Sequence, residues 1–259
     1  VIITDDGRES TAETLIAERF PWAKWIKGPQ RGPARNRNSG AKHARGAWVA
    51  FTDDDCLPSE GWLAAFHSAI ASDRNVLEGK TTCAEGLRSV FELAPINENG
   101  GALWSCNMMV RHTFFDAVQG FDENFPVAYM EDVDFRERVY GLGEKVVFVA
   151  DALIDHPPRP ALFGKKLAVL QESEFLFYYK SGHHKPYLIQ HLRRMISIRL
   201  QIVRKYPLSS DTLRALLLLF PELYYVSKHG PHWQRHYREM YRDVKVTYPP
   251  DLSVRLCQH

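Results

Sequence analysis

Three consecutive carboxylates, Asp53-Asp54-Asp55, close an apolar run, Ala47-Trp48-Val49-Ala50-Phe51. The run reads as a buried strand, so the acids stand at its carboxyl end. Like charges crowded there are unfavourable unless a cation sits among them. Hard carboxylate oxygens suit Mg²⁺ or Mn²⁺, and such ions commonly also hold a substrate phosphate. Ligands of open α/β sheets gather at the carboxyl ends of strands. The plainer alternative is a solvated acidic loop. A second acidic pair, Asp5-Asp6, follows Val1-Ile2-Ile3-Thr4 in the same way, and Gly7 permits a tight turn. A third pair, Glu131-Asp132, opens a stretch in which Val133, Arg136 and Tyr140 keep helical spacing. Those acids either complement a helix dipole or supply a general base. Arg35 stands in the first turn of a helix opened by Pro33, where an anion site forms readily; solvation on the helix surface is the plain alternative. His156 comes after the last apolar strand and is either structural or a ligand.

The elements that must position these groups alternate. Strands are expected at 1–4, 22–26, 47–51, 76–83, 103–110 and 144–149. Helices are expected at 10–19, with Ser10 or Thr11 as cap and Glu13 completing the box, and at 33–45, ended by Gly46. Further helices are expected at 60–71, capped by Ser59, at 113–118 and from Glu131. Gly40 and its small neighbours predict close packing of the second helix. Residues 85–101 predict an irregular or partly helical substrate loop. Beyond Pro160 the pattern turns helical, with helices at 161–180, 187–206, 211–228 and 233–241, separated by Pro186, Pro207 and Gly230-Pro231. The expected domains are therefore 1–159 and a helical region, 160–259.

Composition excludes little. The chain has 259 residues, a formal net charge of +2 and 45% apolar residues, as in an ordinary globular protein. Cys56, Cys83, Cys106 and Cys257 show no Cys-x-x-Cys spacing, which argues against a structural zinc site or a disulfide framework. Acidic strand ends would repel a nucleic-acid backbone, so no nucleic-acid role is expected. The stretch 188–204 is basic and amphipathic, with Arg193, Arg194, Arg199 and Arg204. It allows contact with a membrane surface, while 213–226 is too short to span one.

In this order, the stretches resemble the glycosyltransferase family 2 enzymes. The resemblance rests on Asp5-Asp6-Gly7, on Gly32-Pro33-Ala34-Arg35-Asn36, and on Arg45-Gly46-Ala47-Trp48-Val49-Ala50-Phe51-Thr52-Asp53-Asp54-Asp55-Cys56-Leu57-Pro58. It continues through Ser105-Cys106-Asn107-Met108, Gly120-Phe121-Asp122-Glu123, Glu131-Asp132-Val133-Asp134 and His156, and covers residues 1 to about 158. The family implies an α/β domain of the GT-A fold, Rossmann-like, with a mostly parallel sheet flanked by helices; here a helical C-terminal region is added. Family members usually begin one strand earlier, so an N-terminally truncated domain is expected.

The resemblance implies inverting, metal-dependent transfer of a sugar from a nucleoside diphosphate sugar to an acceptor hydroxyl. Asp132 would be the general base, with Glu131 its rival. Asp5, Asp6, Arg35 and Asp53 would bind nucleotide. Asp55, with Asp53 and His156, would hold Mg²⁺ or Mn²⁺. A saccharide or lipid-linked acceptor, a place in bacterial envelope polysaccharide synthesis and a cytoplasmic location, with the tail able to touch the inner face of the membrane, complete the expectation. Two alternatives stand beside it. One is a sugar-phosphate nucleotidyltransferase, which would need a glycine-rich triphosphate loop. The other is a catalytically inactive nucleotide-sugar-binding protein.

Overall fold

The first apolar run forms β1 (Ile2–Asp5), α1 (Glu13–Arg19) follows, and β2 (Lys24–Lys27) returns parallel to β1. The structure is a computed structural model and describes residues 1–9, 12–71, 73–206, 208–244 and 248. The caps expected at Ser10 or Thr11, and the break at Pro207, lie outside the described residues. Helix α2 (Pro33–His43) starts on Pro33 and lies on β1. A Cβ on Gly40 would come within 3.1 Å of the Thr4 methyl, and Asn36 Nδ2 donates to Thr4 O at 2.9 Å. The small residues of α2 thus permit a close approach at some cost in helix propensity. The helix stops at His43, before Gly46, because Ala44 takes an extended conformation.

Strand β3 (Trp48–Phe51) carries the acidic triplet at its carboxyl end, and β4 (Leu57–Pro58) and α3 (Trp62–Ala69) come next. Ser59 does not cap α3. Its hydroxyl donates to Leu153 O at 3.0 Å, and left-handed Gly61 occupies the cap position. There follow β5 (Val76–Thr82), β6 (Glu92–Leu93), β7 (Met108–Arg111), α4 (His112–Ala117), α5 (Glu131–Gly141), β8 (Val147–Asp155) and β9 (Arg159–Pro160).

The main sheet has the order β3-β7-β5-β8-β4. Its α/β class is as expected, but its directions are mixed. Of its neighbouring pairs only β5 and β8 are parallel; β7 is antiparallel to both β3 and β5, and β4 to β8, so β3, β5 and β8 share one direction and β7 and β4 the other. A parallel strand needs a long crossover, usually a helix. The chain enters β7 from a loop without a helix, so that strand can run reversed.

Two strand boundaries differ from expectation, and near both a side chain takes over a backbone N–H. Strand β7 begins at Met108 and not at 103, because buried Glu78 accepts the N–H groups of Gly101 at 2.6 Å and Leu103 at 2.8 Å. Leu103 itself is left-handed. Strand β8 begins at Val147 and runs to Asp155; before it, the Glu144 carboxylate accepts the N–H and the side-chain amide of Asn75. Residues 85–101 contain no helix; β6 pairs with β9, and Asn97 bridges to Thr81.

The remainder is helical: α6 (Lys165–Lys180), α7 (Leu188–Arg204), α8 (Ser210–Leu217) and α9 (Leu219–Met240). Gly230-Pro231 does not end a helix. Helix α9 runs through it, because bare Gly230 lies where a Cβ would meet Leu188 at 2.6 Å and Phe175 at 3.3 Å. Packing overrides the proline. The break falls instead at Leu218, between α8 and α9. Phe175, Tyr187, Trp233 and Tyr237 fill the core of this region. Lys180, at the end of α6, reaches back to Asp122 and Asp134, both at 2.6 Å. The helical region is therefore pinned to α5, the helix that bears Glu131 and Asp132.

Candidate active site

Three carboxylate stations lie at strand or helix ends, and an arginine joins two of them. Arg37, on α2, donates to Asp53 Oδ1 at 2.8 Å and to Glu131 Oε1 at 3.0 Å. Its side chain is only 17% exposed, so both ion pairs are shielded. The flanking carboxylates hold Arg37 above its already high range against the opposing effect of its own burial. The guanidinium fork suits such double engagement, and a lysine would not reproduce it.

This pairing separates the two acids of α5. Glu131 is buried and tied to Arg37. Burial first, and then the neighbouring Asp132, push its carboxyl up to about 7, and Arg37 opposes them. Asp132 is half-buried, and burial raises it as well. Its hydrogen bonds among the described residues go to backbone N–H groups of its own turn, Val133 N at 2.9 Å and its own. Asp132 is thus the carboxylate with no side-chain partner there. The chain reaches both acids through Met130, which is left-handed (φ 76°). Non-glycine residues hold that conformation only when their surroundings enforce it, and such strain clusters at functional sites. Here buried packing of Met130 in the helical core supplies the constraint.

Asp55 points elsewhere. Its Oδ1 lies 3.4 Å from His156 Nε2, at the end of β8. His156 is fully buried, and its Nδ1 lies 2.9 Å from Pro157 O, a group that can only accept. Nδ1 therefore donates to Pro157 O, and Nε2 is the ring nitrogen that faces Asp55. Among the described residues Nε2 has no hydrogen-bond partner. A buried ring nitrogen without a hydrogen-bond partner, facing a carboxylate, is an arrangement a cation would complete, so these residues fit a divalent ion. Cys56 lies beside them and shares a hydrogen bond with Cys106, which draws the Cys56 thiol down and pushes Cys106 up.

The first station is at β1. Asp6 spends both oxygens on one loop: Oδ1 accepts Gln30 N, and Oδ2 accepts Gly32 N at 2.9 Å. Asp5 Oδ1 accepts Gly7 N at 3.0 Å, and Trp25 Nε1 lies 3.4 Å from its Oδ2. Arg35 faces Glu123, with 3.5 Å between Nε and Oε2. Asn38, buried beside it, clamps the 120–123 turn, accepting Phe121 N at 2.9 Å and donating to Phe121 O at 2.8 Å.

The structure therefore brings Asp53 and Glu131 together through Arg37, with Asp132 adjacent in sequence to Glu131. It brings Asp55 to His156. It turns Asp53 toward Arg37, and places Asp5 on β1, Asp6 just after it and Arg35 on α2, in contact with other residues. Arg37 is the residue sequence reasoning missed. The signal was available: Ala34, Asn38 and Ala41 mark the buried face of α2 by helical period, and Arg37 adjoins that face.

With that geometry in hand, comparisons with known proteins point to glycosyltransferases. The pattern described as "Glycosyl transferase family 2" matches residues 1–86. A "Pre-mycofactocin glycosyltransferase" of Mycobacterium tuberculosis is 28% identical over 181 residues, covering 62% of this chain and 38% of that protein. "Glycosyltransferase AglE" of Haloferax volcanii is 27% identical over 183 residues, covering 64% of this chain and 59% of that protein. The chain thus spans 38% and 59% of the length of these curated relatives. Among solved structures, S. aureus TarS 1–349 in complex with UDP-GlcNAc superposes with a TM-score of 0.51 at 16% identity, over 93% of this chain and 82% of that one. That likeness concerns the fold.

Proposed function

We propose, for a chain that carries a family 2 glycosyltransferase segment on a GT-A fold, that it moves a sugar from a nucleoside diphosphate sugar to an acceptor hydroxyl with inversion at the anomeric carbon. The observation that carries this reading is the division of labour among the acids. Glu131 and Asp53 are held by Arg37, Asp55 faces a buried histidine nitrogen, and Asp132 is left to take a proton.

In the proposed reaction the acceptor oxygen attacks the anomeric carbon while Asp132 removes its proton. The bond from that carbon to the diphosphate oxygen breaks, and the diphosphate leaves with the electron pair. Attack from the face opposite the leaving group gives inversion in one step. Asp55 and His156 would hold Mg²⁺ or Mn²⁺, whose charge would offset that developing on the diphosphate. Arg37 keeps Asp53 and Glu131 fixed and limits the repulsion around Asp132. Asp5 is assigned to the nucleotide base on the strength of the family resemblance, while Asp6 holds the 30–32 loop. Arg35 and Asp53 are assigned to the rest of the nucleotide.

Thermal unfolding with a panel of nucleoside diphosphates, with and without Mn²⁺, tests the donor site. A nucleotide at about a hundred times its dissociation constant adds about 2.7 kcal/mol, a rise of several degrees at this size. A metal-dependent rise for one nucleotide, lost in Asp55→Ala, supports the reading. A cooperative melt that no nucleotide shifts overturns it.

The acceptor is assigned to the saccharide or lipid-linked class, on the strength of the helical region. No helix among the described residues is long and apolar enough to cross a membrane. Yet Leu213, Leu217, Phe220 and Tyr224 are each more than half exposed, and their spacing continues one face from α8 into α9. Of the four arginines of the basic stretch, Arg199 is buried on Glu222 at 2.7 Å and Arg194 is paired with Glu174, so Arg193 and Arg204 remain as the basic component of α7. Apolar and basic groups together suit an anionic lipid surface. Sedimentation with anionic vesicles, reduced at least tenfold by Phe220→Ser with Tyr224→Ser, is the expected result. Unchanged sedimentation of that variant would remove this face from the reading.

A further inference from the structure

In the stretch from Ala102 to Val110 every residue is buried except Trp104, which is half-buried. Trp104 packs against two clusters at once. One holds Cys56, Cys106 and Ile154, close in sequence to Asp55 and His156. The other is the helical core, which contains Met130 and Val133 on either side of Glu131 and Asp132. We infer that Trp104 is the platform on which a pyranose ring of the acceptor stacks. The inference rests on the transfer reading above and adds to it the acceptor's subsite and ring form.

Three observations support it. The first is place. Cys106, two residues beyond Trp104, lies within electrostatic reach of both Asp53 and Asp132. The turn that carries the indole therefore stands between the acids after β3 and the proposed base. The second is rigidity. Leu103 is left-handed (φ 47°), and buried Glu78 holds it there by accepting its N–H at 2.8 Å and that of Gly101 at 2.6 Å. Strain of this kind persists only where the surroundings enforce it, and it gathers at functional sites. Asn107 N donates to Trp104 O at 3.0 Å, and the Asn107 amide donates to Lys80 O at 2.8 Å and Ala152 O at 3.0 Å. The indole edge is tied as well, since Trp104 Nε1 donates to Ile96 O at 3.3 Å. The third is chemistry. The C–H groups on the faces of a pyranose are made slightly positive by the ring's oxygens. The face of an indole is the negative side of its quadrupole. Stacking thus uses the faces of the sugar and leaves its hydroxyl edge for Asp132. A fixed surface reaching from the ion station to α5 holds that edge in line with the anomeric carbon.

The test is fluorine NMR of the full chain grown with fluorotryptophan. The chain has six tryptophans, and Trp104→Phe identifies the Trp104 signal by removing it. The protein is first loaded with Mg²⁺ and the nucleoside diphosphate that raises its melting temperature. It is then titrated with the methyl pyranosides of glucose, galactose, mannose and N-acetylglucosamine. The expected result is that at least one pyranoside moves the Trp104 signal saturably, while the signal of Trp22, 68% exposed, stays in place. In turnover with the nucleotide sugar, Trp104→Leu keeps the apolar packing and removes the aromatic face. It should raise KM for that pyranoside about tenfold and lower kcat less than threefold, with Trp104→Phe between Leu and wild type. A Trp104 signal that no pyranoside moves overturns the inference. So does a rise in KM for the nucleotide sugar in place of the pyranoside, which would put the donor's ring on the indole. The nucleotide-dependent melt shows that each variant is folded, and it separates the two readings. Its presence in wild type with a silent Trp104 signal removes the platform and leaves the donor site standing, whereas its absence in wild type removes the donor site and the platform with it.

Discussion

Asp132→Asn is expected to lower kcat by about a thousandfold or more while nucleotide binding stays within a few fold of wild type. General-base removal commonly costs 10² to 10⁴ in rate, and a positioned carboxylate that no other group replaces belongs toward the upper end. Glu131 is the obvious substitute, but its carboxylate is bound to Arg37 at 3.0 Å and is buried. The alternative explanation, that the variant unfolds, is answered by the charges. Both acids are raised by burial, and Asp132 helps hold Glu131 up at about 7. A carboxyl raised in the fold gives stability that is fully present below its unfolded value and is lost as pH rises through its folded one. For Glu131 that window runs from its ordinary value of 4.5 up to about 7. Asp132→Asn removes one of the two repelling charges, so the variant should melt no lower than wild type at neutral pH, and higher above pH 7. In wild type the acid limb of kcat/KM should lie above the ordinary carboxylate range, because the base works deprotonated and its pKa is raised. Full turnover in Asp132→Asn, or an acid limb at ordinary carboxylate pH, would sink the assignment.

How far these groups could be read from sequence depended on whether the signal was local. The acids at the ends of β1 and β3 announce themselves, because an apolar run followed by carboxylates needs no partner to be recognised. Pro33 set the start of α2, and the small residues around Gly40 foretold its close seat on Thr4. What could not be read was set by distant chain. Glu78 takes the N–H groups of Gly101 and Leu103, 23 and 25 residues away, and so delays β7. Gly230 is a helix breaker in isolation, yet contact with Leu188 and Phe175 carries α9 through it. Strand direction depends on the connection between strands, which composition does not record. The same holds in the site. The resemblance grouped Asp53 with Asp55 as metal ligands, but neighbours on one strand end point to different partners: one meets Arg37, 16 residues back, and the other His156, 101 residues on. Arg35 drew attention as the first-turn arginine, while Arg37 makes the two buried pairs.

Arg37→Met is the second large effect, and it differs in kind from the loss of Asp132. Methionine keeps an apolar stem of similar reach and removes only the charge and the fork. Asp53, Glu131 and Asp132 then share one region without their arginine. Removing one partner of a buried pair costs about 3–5 kcal/mol; with 17% of the side chain exposed, about 2 kcal/mol is the reasonable expectation once solvent screening is allowed for. The catalytic consequence follows from the same charges. Arg37 is the leading group holding the Asp132 carboxyl down against burial, and it does the same for Glu131. Without it both rise further, and at pH 7 less of the base is deprotonated. The expected result is a fall in kcat/KM of at least a hundredfold at pH 7, partly recovered at higher pH, with the acid limb displaced upward. Arg37→Lys should restore most of the charge and little of the geometry, so its limb returns toward wild type while its maximum stays low. A purely structural arginine would lower the amount of folded enzyme and leave the limb in place. The pH profile of Arg37→Met, measured on protein shown to be folded, therefore decides whether Arg37 positions the reaction or only holds α2 to α5.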